Sequence, residues 1–158
     1  MKILSLAAIA ATIISSSAWA QAQVDVSVTN AWARATVPQQ KATGAFMQIK
    51  SNADARIVEV KSKVAGTAEI HEMKMDGDVM RMRAVPSLAL PAGRAVDLAP
   101  GGYHVMLTER KEQLKAGDSI ALTMTVETAD GKRRDVELQV PVRALGAAAS
   151  APQGAHKH

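Results

Sequence analysis

The apolar positions of this chain recur with a period of two over most of its length. Between residues 24 and 142, short runs that alternate apolar with polar residues are separated by clusters of Gly, Pro, Asn and Asp. Such alternation is typical of half-buried β-strands, and the intervening residues are typical of turns. The pattern predicts nine strands, at residues 24–31, 44–50, 57–64, 68–75, 79–84, 95–98, 103–109, 119–128 and 134–142.

These strands are not interrupted by a capped run with an apolar period of 3.6 residues, so no substantial helix is predicted. Short strands at this spacing indicate an all-β fold, an antiparallel β-sandwich or Greek-key barrel. We expect this domain to span residues 21–144.

The two ends of the chain differ from this domain. Lys2, an apolar run over residues 3–14 and the sequence Ala18-Trp19-Ala20 form the pattern of an export signal that is cleaved after Ala20. The run is too short to cross about 30 Å of hydrocarbon, so we expect an exported, soluble protein that does not span the membrane. Residues 145–158 are rich in Ala, Gly, Ser and Pro and predict a disordered tail that carries His156 and His158.

Composition narrows the chemistry. The 158 residues include no cysteine. This excludes disulfides, thiol catalysis, iron–sulfur clusters, Cys-ligated zinc, lipid attachment at an N-terminal Cys, and copper electron-transfer sites that need a thiolate. The net charge of +4 is small and dispersed, so no nucleic-acid partner is indicated. Methionine is prominent instead, because four of the eight lie within residues 73–82.

This methionine-rich segment predicts a β-hairpin. Asp76-Gly77 between two strand-like runs favours a type I′ turn, in which both central residues have positive φ. If these two residues form the loop, Met73 lies opposite Met80 and His71 lies opposite Met82. All four side chains then share one face, with opposed Cβ atoms about 5 Å apart. An imidazole and a thioether at that separation could share one metal ion.

A second pair of the same composition follows the turn Pro100-Gly101-Gly102. His104 and Met106 stand two residues apart on a predicted strand, so they share a face, while Tyr103, Val105 and Leu107 take the other. If the two strands lie together, two imidazoles and two thioethers form one four-ligand site. Thioethers are soft and favour Cu(I) over Zn(II), Mg(II) or Ca(II), and this set places no negative charge around the ion.

Structural roles account for each of these residues taken alone. Methionine commonly fills irregular gaps in a core, and a histidine on a strand is commonly a hydrogen-bonded structural residue. Neither role accounts for a methionine two positions after each histidine outside the tail. Trp32 and Tyr103 are expected mainly to pack in the core, with contact to a metal site or to a partner as the second interpretation.

The spacing of these residues resembles the signature of the periplasmic copper chaperone family PCu(A)C. That signature is a His, often with a Met two residues on, then ten residues, a Met, twenty-one residues and His-x-Met, and this chain has the same intervals. His71, Met82, His104 and Met106 stand at these positions, with Met73 in the optional one. Flanking segments are similar too, including Ala31-Trp32-Ala33-Arg34, Gly44-Ala45-Phe46-Met47 and Pro100-Gly101-Gly102-Tyr103.

The resemblance implies a cupredoxin-like β-barrel that binds Cu(I) through His71, Met82, His104 and Met106. It also implies transport of copper in the periplasm, often to the copper centre of a haem–copper oxidase. Some family members take Cu(II) on a His- or Met-rich extension, a role that His156 and His158 would serve here.

We therefore expect a metallochaperone and not an enzyme, with Met73 and Met80 as alternate ligands during hand-over. The expected partner is a periplasmic protein that donates or receives copper, such as a haem–copper oxidase subunit or a thiol-containing assembly factor. Three alternatives stay open: a copper storage or tolerance protein, a β-sandwich that binds no metal, and a metal-dependent hydrolase that uses both histidines and Glu72. The last is disfavoured because no third ligand and general base stand at recognisable spacing.

Overall fold

Residues 24–146 are described in the computed structural model, and they form ten β-strands. The strands are β1 (Val26–Arg34), β2 (Thr43–Ser51), β3 (Ala55–Ser62), β4 (Ala65–Asp76), β5 (Val79–Ala84), β6 (Leu88–Leu90), β7 (Ala95–Leu98), β8 (Tyr103–Arg110), β9 (Ser119–Thr128) and β10 (Arg133–Arg143). The predicted all-β fold is confirmed. β6 was not predicted, because three residues are too few to show an alternation.

The predicted leader, residues 1–20, and nearly all of the predicted tail, including His156 and His158, lie outside the described residues. Within residues 24–146, we find no helix with the length and apolar character that crossing a bilayer requires.

β1 extends past its predicted end because it contains a β-bulge. Its register with β2 shifts between Thr29 and Trp32, and Asn30 adopts a φ of 54°. A bulge inserts one extra residue and interrupts the alternation of side chains, so the polar and apolar pattern fails at this point. Beyond the bulge, Trp32 pairs with Phe46 of β2.

The strands pair in the order β5-β4-β8-β7-β2-β1-β10-β9-β3-β6, and β2 also pairs with β8. Most neighbours are antiparallel, as predicted. The β1–β10 and β7–β8 pairs are parallel, which corrects the expectation of an antiparallel fold throughout. Hairpin signals in the sequence report only antiparallel neighbours, whereas β1 and β10 come from opposite ends of the domain.

The core lies between the two halves of this curved sheet. Most of its fully buried side chains come from β2, β3, β8, β9 and β10, with Leu90 of β6 and Leu98 of β7. In β8, Val105 and Leu107 point into the core, so the alternation of the strand places His104 and Met106 on its opposite face. The packing of β8 therefore decides on which side any chemistry of these two residues occurs.

Candidate metal site

The β4–β5 hairpin has a different register from the one predicted. Asp76 pairs with Val79, Met75 with Met80 and Met73 with Met82, so the loop is Gly77-Asp78 and His71 lies opposite Ala84, not Met82. Gly77 has a φ of 62°, whereas the φ of Asp78 is not positive. A glycine with positive φ at the first central position is typical of a type II′ turn, not of the predicted type I′ turn.

The shared face survives this correction. Moving the loop by one residue moves each cross-strand partner by two positions, and side chains two apart on a strand point the same way. His71 and Met73 of β4 therefore still share a face with Met80 and Met82 of β5, as predicted. Met82 is the direct cross-strand partner of Met73 and lies diagonal to His71.

β8 completes the arrangement by pairing with the other edge of β4. His71 lies directly opposite His104, and their ring centroids are 6.0 Å apart. Met106 lies opposite Glu69 of β4. The four predicted ligands thus occupy one face of three adjacent strands, in which the histidine pair has Met106 on one side along the strands and the Met73–Met82 pair on the other. Methionine has three rotatable side-chain bonds, which lets these thioethers lean towards the imidazoles.

Hydrogen bonds orient the two imidazoles. Nδ1 of His104 donates to the Gly102 carbonyl oxygen at 3.2 Å, which leaves the Nε2 lone pair as the donor to a metal ion. Nε2 of His71 donates to the Glu69 carboxylate at 3.1 Å. Nδ1 of His71 is buried and has no hydrogen-bond partner within the described residues. A buried lone pair without a partner fits a metal ligand, because leaving it unmatched otherwise costs stability.

Glu69 is a site residue that the sequence did not reveal, and it corrects the expectation of surroundings without negative charge. Its carboxylate lies 3.1 Å from the His71 ring, on the same face as the predicted ligands. One carboxylate beside a monovalent cation gives a neutral pair. The sequence does contain a signal for Glu69: it stands two residues before His71 on the same predicted strand, so the two side chains must share a face.

Two aromatic side chains, Phe46 and Trp32, pack beside His104. The Phe46 ring lies 6.3 Å from the His104 ring and 4.6 Å from the Trp32 ring, and all three residues are buried. The guanidinium groups of Arg34 and Arg143 lie 5.5 Å from the Phe46 and Trp32 ring centres. Trp32 thus packs beside the site, outside the main core, and Phe46 is a second residue that the sequence did not assign.

Exposure differs strongly among the candidate ligands. His104 is 5% exposed and Met82 is 47% exposed, while His71, Met73 and Met106 are intermediate. Burial is the main cause that lowers the pKa of His104; the Gly102 carbonyl opposes this shift, and His71 and Arg34 add to it. A lowered pKa keeps His104 neutral, which is the form that binds metals.

Glu72 lies on the other face of β4 and is not available to a site at His71. Its carboxylate accepts a hydrogen bond from Arg83 at 3.0 Å, and Arg83 is the main cause that lowers the pKa of Glu72. Glu72 pairs across the strands with Tyr103, the pKa of which is raised mainly by burial. Within residues 24–146, no cluster of three or more His, Asp or Glu side chains could hold a metal ion.

The domain is similar in sequence to a known protein family. Residues 26–142 match the family model described as "Putative lipoprotein LpqE-like". A protein of Leifsonia xyli named "Putative lipoprotein Lxx21020" is 32% identical over 118 residues, which span 73% of this chain and 69% of that protein.

Solved structures share the fold. The apo PCuAC domain from PmoF1 is 25% identical with a TM-score of 0.61, over 76% of this chain and 94% of that domain. The solution structure titled CuI-DR1885 from Deinococcus radiodurans is 27% identical with a TM-score of 0.55, over 73% of this chain and 76% of that one. The predicted cupredoxin-like β-fold is confirmed by this likeness.

Proposed function

This chain belongs to the LpqE-like family, and from that membership and the geometry of its histidine pair we propose that it is a periplasmic copper metallochaperone and not an enzyme. Its cargo is Cu(I), held by His71, Met82, His104 and Met106. Two solved relatives of the same fold support the choice of metal, since one is titled a PCuAC domain and the other a CuI form.

The observation that carries the proposal is the pairing of His71 with His104, with rings 6.0 Å apart. In each imidazole one nitrogen donates a hydrogen bond, from His71 Nε2 to Glu69 and from His104 Nδ1 to the Gly102 carbonyl. The other nitrogen of each ring keeps a lone pair that can bind a metal ion. With thioethers on both sides along the strands, the donor set is soft and carries one nearby negative charge. Such a set suits a monovalent soft cation better than Zn(II).

Release follows from the same ligands. Thioether donors are uncharged, so a partner that offers thiolates competes well for Cu(I). Met82 is about half exposed and Met73 is partly exposed, and both are within reach of a docked partner. We propose Met73 and Met80 as alternate ligands during transfer, and a haem–copper oxidase subunit or a thiol-containing assembly factor as the recipient. A storage or tolerance role would use the same site but would not require rapid release.

Metal titration of the mature chain tests this function. We expect one tightly bound Cu(I) per molecule in competition with a chromogenic chelator under anaerobic conditions, and weak binding of Zn(II). Replacing His71→Ala together with Met82→Leu should weaken Cu(I) binding by about 100-fold or more, since losses in outer-shell contacts alone cost 10- to 100-fold.

The matched control is Met47→Leu together with Met124→Leu, because both methionines are buried in the core and lie outside the site. This control should bind Cu(I) as the unmodified chain does. Unchanged Cu(I) stoichiometry in the His71 and Met82 variant would favour a sandwich that binds no metal there, and tight Zn(II) binding with turnover would favour a hydrolase. Slow transfer to a thiol-containing acceptor would favour storage.

We propose Cu(II) capture by the tail as a separate activity, carried by His156 and His158. Imidazole nitrogen suits Cu(II), which accepts nitrogen and oxygen ligands. Deleting residues 145–158 should remove one Cu(II)-selective binding event and leave Cu(I) binding intact. An unchanged Cu(II) stoichiometry would refute this role.

A further inference from the structure

We propose that the tip of the β4–β5 hairpin carries a second Cu(I) site, formed by Met75 and Met80, through which the ion enters and leaves the histidine site. The inference rests on the proposed function, because it takes Cu(I) as the cargo. The two residues form a direct cross-strand pair, which only the Asp76–Val79 pair separates from the Gly77-Asp78 turn.

Packing does not account for these two methionines. Met75 is 56% exposed and Met80 is 49% exposed, and every residue of β5 is exposed. Methionines that fill a core are buried, as Met47 and Met124 are in this protein. Because Met75 and Met80 are exposed, they contribute little to stability through burial. The property that sets them apart from other apolar side chains is the thioether sulfur.

The pair continues directly into the site at His71. On one face of the hairpin, Met75–Met80 is followed by Met73–Met82 and then by His71 with Ala84 opposite. Successive pairs on one face of a strand lie about 7 Å apart, which is within reach of two flexible thioethers that lean towards each other. A Cu(I) ion can therefore pass from one pair to the next by exchange of one sulfur ligand at a time.

The opposite face of the same strands has a different composition. It carries the cross-strand pairs Lys74–Arg81 and Glu72–Arg83. All four hairpin methionines are thus on the face that also carries His71, and the charged side chains of these two pairs are on the other. The copper stays cuprous throughout, and no electron or proton needs to be supplied.

The test is methyl NMR of the full mature chain with ¹³C-labelled methionine methyl groups, titrated with Ag(I) as a redox-inert substitute for Cu(I). The first equivalent should shift the methyl groups of Met82 and Met106. The second should shift those of Met75 and Met80, while the methyl groups of the buried Met47 and Met124 stay in place.

Kinetics supply the second measurement. In a Met75→Leu variant, which keeps the alternate ligands Met73 and Met80, we expect the first equivalent to bind as before, the second to be lost, and transfer of Cu(I) to a chromogenic chelator to slow by about fivefold or more. The matched control Met47→Leu makes the same chemical change away from the tip, and should keep both the second equivalent and the transfer rate.

The proposal fails if a twofold excess of Ag(I) leaves the Met75 and Met80 methyl signals unmoved, or if the tip variant transfers Cu(I) at the unmodified rate. Failure of the proposed function gives a different result: the first equivalent would then leave the methyl signals of Met82 and Met106 unchanged. The tip site would in that case be judged by the Met75 and Met80 signals alone.

Discussion

The properties of individual side chains decide which atoms of this protein can meet a metal ion. His104 of β8 is buried beside the Phe46 ring, and its Nδ1 donates a hydrogen bond to the Gly102 carbonyl. Glu69 holds the Nε2 proton of His71 in the same way, so the two rings offer different nitrogens. Hydrogen bonds of this kind fix the orientation of metal-binding histidines and raise their basicity.

The lowered pKa of His104 predicts how the apo protein responds to acid. The unfolded chain protonates this histidine near pH 6.5, whereas burial lets the folded protein resist protonation to lower pH. The folded state therefore binds fewer protons than the unfolded state, and stability should fall as the pH drops below about 6.5 until the lowered pKa is passed. NMR titration of the ring and urea unfolding at several pH values measure this.

The control for that experiment is His104→Gln, which cannot be protonated in this range. Its stability should depend less on pH below about 6.5 than that of the unmodified chain. A His104 ring that titrates at or above the ordinary histidine value in the apo protein would contradict the prediction.

At the scale of the element, the β4–β5 hairpin is an edge of the sheet that is exposed along all of β5. Because core packing stabilises β5 only weakly, the conformation of the Gly77-Asp78 turn largely determines the register in which β5 pairs with β4. The register matters because a one-position shift in the pairing of β5 with β4 would turn Met80 and Met82 away from the face that carries His71.

Gly77→Ala tests the dependence on this turn. Gly77 has a φ of 62°, and an added Cβ would meet nothing within 4 Å, so the cost is that of the backbone conformation alone. That cost is about 1–2 kcal/mol for a residue other than glycine. We expect faster amide hydrogen exchange in β4 and β5 and a weaker Cu(I) affinity. Asp78→Ala is the matched change at the other loop position and should have little effect; equal exchange in both variants would contradict the assigned turn.

At the scale of the whole molecule, stability and binding are assigned to opposite faces of the same strands. The side chains of β8 alternate between the core, with Val105 and Leu107, and the candidate site, with His104 and Met106. The core is completed by β3, β9 and β10, which contribute no candidate ligand. Changes in the core should therefore affect unfolding and leave the site chemistry largely intact.

Leu122→Ala is the corresponding prediction. Leu122 is fully buried in β9, so its truncation should reduce the free energy of unfolding by about 3 kcal/mol. Urea denaturation measures this loss. Under conditions in which the variant stays folded, we expect one Cu(I) per molecule as before. A folded variant with no tight Cu(I) site would show that core and site are more closely coupled than their opposite faces indicate.

The sequence by itself determined which residues share a face. Period-two alternation on β8 put His104 and Met106 together, and the alternation of β4 and β5 kept Met73, Met80 and Met82 on the side of His71, although the predicted loop was wrong by one residue. Parity along a strand is a local property, and a shift of partners by two positions leaves it unchanged. For the same reason most of the strands were predictable, but β6 and the bulges in β1 and β3 were not.

The tertiary structure decided what stands next to that face. The pairing of His71 with His104, the contact of the Glu69 carboxylate with the His71 imidazole and the contact of the Phe46 ring with His104 all depend on β8 lying between β4 and β2. These partners are far apart along the chain, and local alternation contains no information about which strands pair. The parallel pairing of β1 with β10 has the same origin, because it is set by the packing of the whole core and not by any turn.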